Sequence, residues 1–224
     1  MKGKLIVIDG ADGSGKGTQT KILIERLEKE GVQTMSLDFP RYGSPSAFFV
    51  EQYLNGKYGE ANEVSPKLAS LFYALDRFDA KENIKKALNE GKIIISNRYV
   101  SSNAGHQGGK IRDENERQKF LDWLYDLEYE VNGLPKPDLS IYLNVPWQIG
   151  QQLVDKKGHR DYVGGVKRDI HEKDSEHLKN TQESYLYLTK KENNWIKVDC
   201  VEDKNLKSIE QIHQMIYDKI KEIL

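Results

Sequence analysis

Leu5-Ile6-Val7-Ile8-Asp9-Gly10-Ala11-Asp12-Gly13-Ser14-Gly15-Lys16-Gly17-Thr18 is the stretch on which the reading of this chain turns. Its first four residues are apolar and β-favouring without alternation, as in a strand buried on both faces. The glycines that follow let backbone N–H groups curl around phosphate oxygens, and the helix start behind them adds a partial positive charge. Lys16 then stands where a lysine reaches β- and γ-phosphates. Strand, glycine loop and helix start occur in the order the chemistry requires. Gly10, Asp12, Gly13, Ser14, Gly15, Lys16, Gly17 and Thr18 are therefore the candidate ATP-binding residues. The usual pattern places Ser or Thr directly after the lysine. Here Gly17 stands there and Thr18 follows, so a side chain that would ligate Mg²⁺ directly is missing.

Outward from this loop, four more β-rich runs recur: 34–37, 93–96, 139–143 and 195–198. Helical patterns lie between and after them at about 17–30, 66–89, 114–131, 147–157, 169–192 and 206–223. In the last, Leu206, Ile209, Ile212, Ile216, Ile220 and Ile223 form an amphipathic stripe. Strands alternating with helices predict an α/β, doubly wound, five-stranded parallel sheet flanked by helices, of the P-loop NTPase type. With no repeat or low-complexity linker, residues 1–224 read as one domain. Residues 155–168 stand apart, glycine-punctuated and carrying five basic side chains. Alone such a run would be a solvated loop; late in a nucleotide-binding chain it is expected to act as a short basic lid.

The composition excludes several classes. Of 224 residues, 34 are Lys or Arg and 35 are Asp or Glu, for a net charge of −1, which argues against a nucleic-acid partner. No run approaches the ~18 apolar residues of a membrane span, and the apolar start is too short for a signal peptide. The single cysteine, Cys200, excludes an internal disulfide and a cysteine zinc site. The expectation is a cytoplasmic protein. An Asn-Lys-x-Asp base-reading motif is absent, and the third strand runs into Asn97-Arg98-Tyr99 without an acidic end. Both absences favour a small-molecule kinase over a GTPase or a motor ATPase.

Four further motifs fall in a recognisable order: Asp38-Phe39-Pro40-Arg41-Tyr42, Leu71-Phe72-Tyr73-Ala74-Leu75-Asp76-Arg77, Asn97-Arg98-Tyr99-Val100-Ser101-Ser102-Asn103 continuing to His106-Gln107, and Gly133-Leu134-Pro135-Lys136-Pro137-Asp138. With the phosphate loop, the set resembles the thymidylate kinases over about residues 4–200. Singly, Tyr73 would read as a core aromatic and each arginine as an ion-pair partner; the joint spacing is what carries the resemblance.

The resemblance implies transfer of the γ-phosphate of ATP, with Mg²⁺, to dTMP, and a homodimer. It implies that Arg41 and Arg98 clamp the acceptor phosphate, a task suited to the paired donors of a guanidinium. Arg77 would meet the thymine edge. Tyr73 would stack on the base, with Phe72 the alternative one residue away. Phe39, Ser102, Asn103, His106 and Gln107 would line the rest of the acceptor site. Asp12 would accept a hydrogen bond from the deoxyribose 3′-OH. Because the phosphate loop has no arginine, Arg160 of the basic segment would supply the transition-state cation.

Two departures stand out. Asn97 replaces the family's usual Asp, and with Gly17 this leaves Asp9 as the acidic candidate for the metal, directly or through water. His106 stands where many relatives carry an aromatic ring beside the sugar. Alternatives at this point are a kinase preferring dUMP, AMP or another (d)NMP, a deoxynucleoside kinase, and a nucleotide-binding module with weakened turnover.

Overall fold

In β1 (Lys4–Asp9), Leu5 and Val7 face one side of the sheet while Ile6 and Ile8 face the other, and all four are fully buried. That double burial is why the run has no polar alternation. The computed structural model describes residues 2–155, 174–203 and 205–224. Its main sheet has the order β2-β3-β1-β4-β5, every neighbouring pair parallel, with β2 at Thr34–Asp38, β3 at Ile93–Asn97, β4 at Leu139–Asn144 and β5 at Trp195–Asp199. The order reverses about β1, so the crevice beyond the carboxyl ends of β1 and β3 is where a doubly wound sheet binds ligand.

One face is covered by α1 (Lys16–Lys29) and α8 (Ile209–Lys221), whose Leu23, Leu27, Ile212, Ile216 and Ile220 pack on Ile6 and Ile8. The other is covered by α3 (Pro66–Asn89), α4 (Val100–His106), α5 (Glu114–Tyr125) and α7 (Ser175–Lys191) around Leu5, Val7 and Ile94. A smaller apolar cluster joins α2 (Phe48–Leu54) to the start of α3 through Val50, Tyr53, Val64 and Ala69. Helix α6 (Trp147–Asp155) follows β4.

Four elements differ from the sequence expectation. The pattern over 114–131 is not one helix: α5 ends at Tyr125 and Asp126–Val131 continues as a π-helical turn. Helix α8 begins at Ile209 and not at 206, because Ser208 and Gln211 close a capping box while Leu206 pairs in a hairpin of β6 (Val201–Glu202) and β7 (Asn205–Leu206). The seven-residue helices α2 and α4 are too short to leave a periodic signal. The basic segment expected as a lid lies, apart from Asp155, outside the described residues.

Candidate active site

The phosphate loop is held from behind by its own lysine. Lys16 Nζ donates to the carbonyls of Gly10 and Ala11, both at 2.9 Å, and lies 3.9 Å from Asp12 Oδ1. Gly15, in the left-handed region at φ 84°, caps α1. Gly13 is required by contact: a Cβ there would sit 2.0 Å from the carbonyl oxygen of Gly150 on α6. Loop and α6 are thus packed glycine against glycine. At Gly17 a Cβ would come into ordinary contact with Asn97 Nδ2, at 3.9 Å.

Asp9 is fully buried at the end of β1. Its carboxylate accepts from the Gly10 N–H at 2.8 Å, Ser101 Oγ at 2.6 Å, Ser102 Oγ at 2.8 Å and the Tyr185 hydroxyl at 2.7 Å. Those four donors occupy the lone pairs a metal would need, and Asp9 does not line the cavity described below. Asp9, expected to serve the metal directly or through water, instead has its carboxylate engaged by these four donors, which tie β1 to α4 and α7.

A cavity of about 340 Å³ runs from Lys16, Gly17 and Thr18 to Tyr73, Arg77 and Asn103. Between those ends stands Arg98, a non-glycine residue at φ 67°, a conformation that costs ~1–2 kcal/mol. Neighbouring strands impose it. The Arg98 N–H donates to Ile8 O at 3.0 Å and Ser96 Oγ donates to Arg98 O at 2.6 Å. The guanidinium then forms an ion pair with Asp12 and approaches His106 Nε2 at 3.1 Å. Since arginine can only donate, His106 Nε2 accepts and the ring proton sits on Nδ1. Burial first, then Arg98, pushes the His106 pKa well below its ordinary value, so the ring is neutral.

The base end is lined by Tyr73, while Phe72 does not line the cavity and packs beside Phe49 with ring centroids 6.1 Å apart. Arg77 is 1% exposed, and its Nε donates to Glu128 Oε1 at 3.1 Å, its Nη1 to Tyr99 O at 3.3 Å. Burial alone would lower the Arg77 pKa, but the Glu128 carboxylate outweighs it and the net shift is upward. Asn103 Nδ2 donates to Ser70 O at 3.2 Å. Gln107 is buried on the cavity wall, and its Oε1 has no hydrogen-bond partner among the described residues. Phe39, Ser102 and His106 also line the cavity.

Arg41 is placed differently from the expectation. Its Nε donates to Asp76 Oδ1 at 2.9 Å, and its Nη2 to Ser46 Oγ at 2.7 Å, Asp76 O at 2.8 Å and Asp79 Oδ2 at 2.6 Å. The guanidinium is turned to α3 and does not line the cavity; Tyr42 does. Arg160 lies outside the described residues.

Sequence reasoning missed Glu128 and Asp38. Glu128 is separated from Arg77 by 51 positions and is placed by the π-helical turn, which no local pattern announces. Asp38 lines the cavity at the end of β2; burial raises its pKa, opposed by Arg98, Asn97 and Lys16. Its signal was the register of two predicted strand ends.

Taken together, the site joins a nucleoside-triphosphate loop to a second compartment with a cation for an anion and an aromatic wall for a base. The thymidylate kinase family model matches residues 8–216. A thymidylate kinase of Mycobacterium tuberculosis is 34% identical over 185 residues, covering 82% of this chain and 85% of its own. One of Plasmodium falciparum is 29% identical over 222 residues, covering 99% and 91%. The solved thymidylate kinase of Candida albicans aligns with a TM-score of 0.73 at 26% identity, covering 98% of this chain and 92% of that one.

Proposed function

This chain belongs to the thymidylate kinase family, and from that premise we propose how its residues divide the transfer of the ATP γ-phosphate to dTMP. The observation that carries the division is the continuous cavity, with Lys16 at one end, Tyr73 and Arg77 at the other, and Arg98 between. The acceptor oxygen belongs to a phosphate monoester whose second pKa is about 6, so no general base is needed. Catalysis reduces to alignment and charge neutralisation. Mg²⁺ bound with ATP neutralises charge on the β- and γ-phosphates. Lys16 exchanges its loop carbonyls for those phosphates, and Arg98 exchanges Asp12 for the acceptor phosphate, leaving Asp12 to accept from the 3′-OH. Arg41 would join by turning from its exposed partner Asp79 toward the acceptor phosphate. Arg160 remains, on sequence grounds, the cation for the transferring group.

At the base end a buried donor and a buried acceptor stand ready. Arg77 matches a keto oxygen, and Gln107 Oε1 matches an N–H. Thymine and uracil offer both; cytosine offers an amino group and a bare ring nitrogen in their place. ADP release with a panel of nucleoside monophosphates tests this reading. We expect dTMP first, dUMP weakened by the ~1–3 kcal/mol of one missing methyl, and dCMP excluded. AMP or GMP outperforming dTMP would overturn it.

On α3, Leu68, Leu71, Leu75 and Phe78 recur at helical spacing and remain 38–53% exposed. We assign this stripe to a second copy of the chain, giving a homodimer; Leu75→Glu should yield monomers by sedimentation. Among the described residues no helix is long and apolar enough to cross a membrane; a cytoplasmic location stays a proposal drawn from the sequence.

A further inference from the structure

Three aspartates, Asp9, Asp12 and Asp38, stand in or beside the phosphate loop and at the end of β2, and the structure distinguishes them. Asp9 is closed off by four donors, as described above. Asp12 is engaged by Arg98 and approached by Lys16. Asp38 alone among them keeps an open oxygen. It lines the cavity, its Oδ1 accepts from Asn97 Nδ2 at 2.9 Å, and its Oδ2 has no hydrogen-bond partner among the described residues. The two side chains are register partners at the ends of adjacent parallel strands, Asp38 opposite Asn97, and Asn97 is also opposite Ile8 next to the loop.

The surroundings fit Mg²⁺. The donor to Asp38 fixes the Asn97 amide, and its Oδ1 is left buried without a hydrogen-bond partner among the described residues. Carboxylate and amide oxygens are the hard ligands this ion takes, and it characteristically uses one or two protein oxygens with substrate phosphates and retained waters. Among the described residues no group of three or more His, Cys, Asp or Glu side chains could hold a metal, so a cage of that kind is absent. Gly17, Asp38 and Asn97 line the same cavity of about 340 Å³, which leaves room for a hydrated ion.

We propose that Asp38, with Asn97 orienting it, is the protein's carboxylate toward the Mg²⁺ of bound ATP. The acidic function sits on β2, one strand away from the expected position on β3, and the amide at 97 prevents two carboxylates from repelling each other across the register pair. The inference rests on the ATP-site reading above.

The test is Mn²⁺ binding to the whole protein with the non-hydrolysable analogue AMP-PNP, read as free Mn²⁺ by electron paramagnetic resonance, so that no turnover is involved. Asp38→Asn should weaken Mn²⁺ in the ternary complex about tenfold or more, as loss of a residue supporting a metal typically does. AMP-PNP affinity without metal should not fall. The double change Asp38→Asn with Asn97→Asp returns one carboxylate to the pair and should recover most of the lost affinity. Unchanged Mn²⁺ affinity in Asp38→Asn, or an equal loss of metal-free AMP-PNP binding, overturns the role of Asp38 and leaves the ATP site standing. Failure of the unmodified protein to retain AMP-PNP at all overturns the ATP-site reading instead.

Discussion

The two ends of the cavity are built on opposite plans. The phosphate end is one contiguous stretch, residues 10–18, that works through backbone and one lysine. The acceptor end is assembled from side chains on β2, α3, α4 and the π-helical turn, held by buried ion pairs across tens of residues. The first plan largely separates catalysis from stability, because β1 and α1 pack through apolar residues outside the loop, although Gly13, tight against Gly150, ties the loop to α6. The second couples recognition to stability, because the groups that meet the base and the acceptor phosphate are also structural partners of one another.

Lys16→Met is the sharpest break of this contrast and the largest effect. Lys16 Nζ donates to two carbonyls of its own loop, whereas α1 is anchored by Leu23 and Leu27 in the core. Loss of a preorganised cation at developing charge should cut kcat by ~10³-fold. Circular dichroism should remain that of the unmodified chain. Steady-state ADP release near the original rate in a folded variant would remove this loop from the donor site.

Glu128→Gln is the counterpart at the other end. It leaves the buried Arg77 guanidinium without a countercharge, and breaking a buried pair costs about 3–5 kcal/mol; the retained amide oxygen puts this change near 3. Urea denaturation should show that loss. Kinetics should show a raised KM for dTMP and an unchanged KM for ATP. If both KM values stay put while stability falls, the pair is structural only.

The same contrast governs legibility. The loop could be read because a chemistry that needs consecutive backbone N–H groups must be encoded consecutively. Tyr73 and Arg77 could be found through their resemblance to the family motif, and their spacing of four puts them on one face of α3. Glu128 left no such trace: its position depends on a π-helical turn that interrupts an otherwise uniform pattern, and on a partner 51 residues away. Arg41 shows the opposite failure. Its motif was visible, but Asp76 and Asp79, on α3 beside Arg77, compete for the same guanidinium. A motif fixes which residue is present and not which of two anions it meets.

Burial at the acceptor end also predicts a pH dependence of stability. His177, stacked on His106 with centroids 5.7 Å apart, has its pKa pushed down to about 4 by burial, with Lys110 adding to it. Unfolded, it takes up a proton near pH 6.5. Between about 6.5 and 4 the unfolded chain therefore binds more protons, and stability falls as pH is lowered through that window, by up to ~1.4 kcal/mol per unit for this residue. Below 4 its contribution is flat, and above 6.5 it is fully present. Urea midpoints across pH 4–7 should follow this slope, and His177→Gln should flatten it. An identical slope in the variant would assign the dependence to other groups.

The smallest expected effect separates the two partners available to Arg41. Asp76 is 1% exposed and accepts both the Arg41 N–H, at 2.8 Å, and its Nε, so it fixes the residue to α3 whatever the guanidinium does. Asp79 is different: its side chain is 62% exposed, and water screens its bond to Nη2. Such an exposed pair contributes well under 1 kcal/mol, so Asp79→Ala should not measurably change the denaturation midpoint. It does remove a competitor for the donor that the acceptor phosphate would use. If Arg41 grips that phosphate in the complex, its release from Asp79 should lower the KM for dTMP about two- to threefold, with kcat and the KM for ATP unchanged. A KM for dTMP identical to that of the unmodified chain would mean that Arg41 stays on α3 throughout turnover, and that Arg98 holds the acceptor without it.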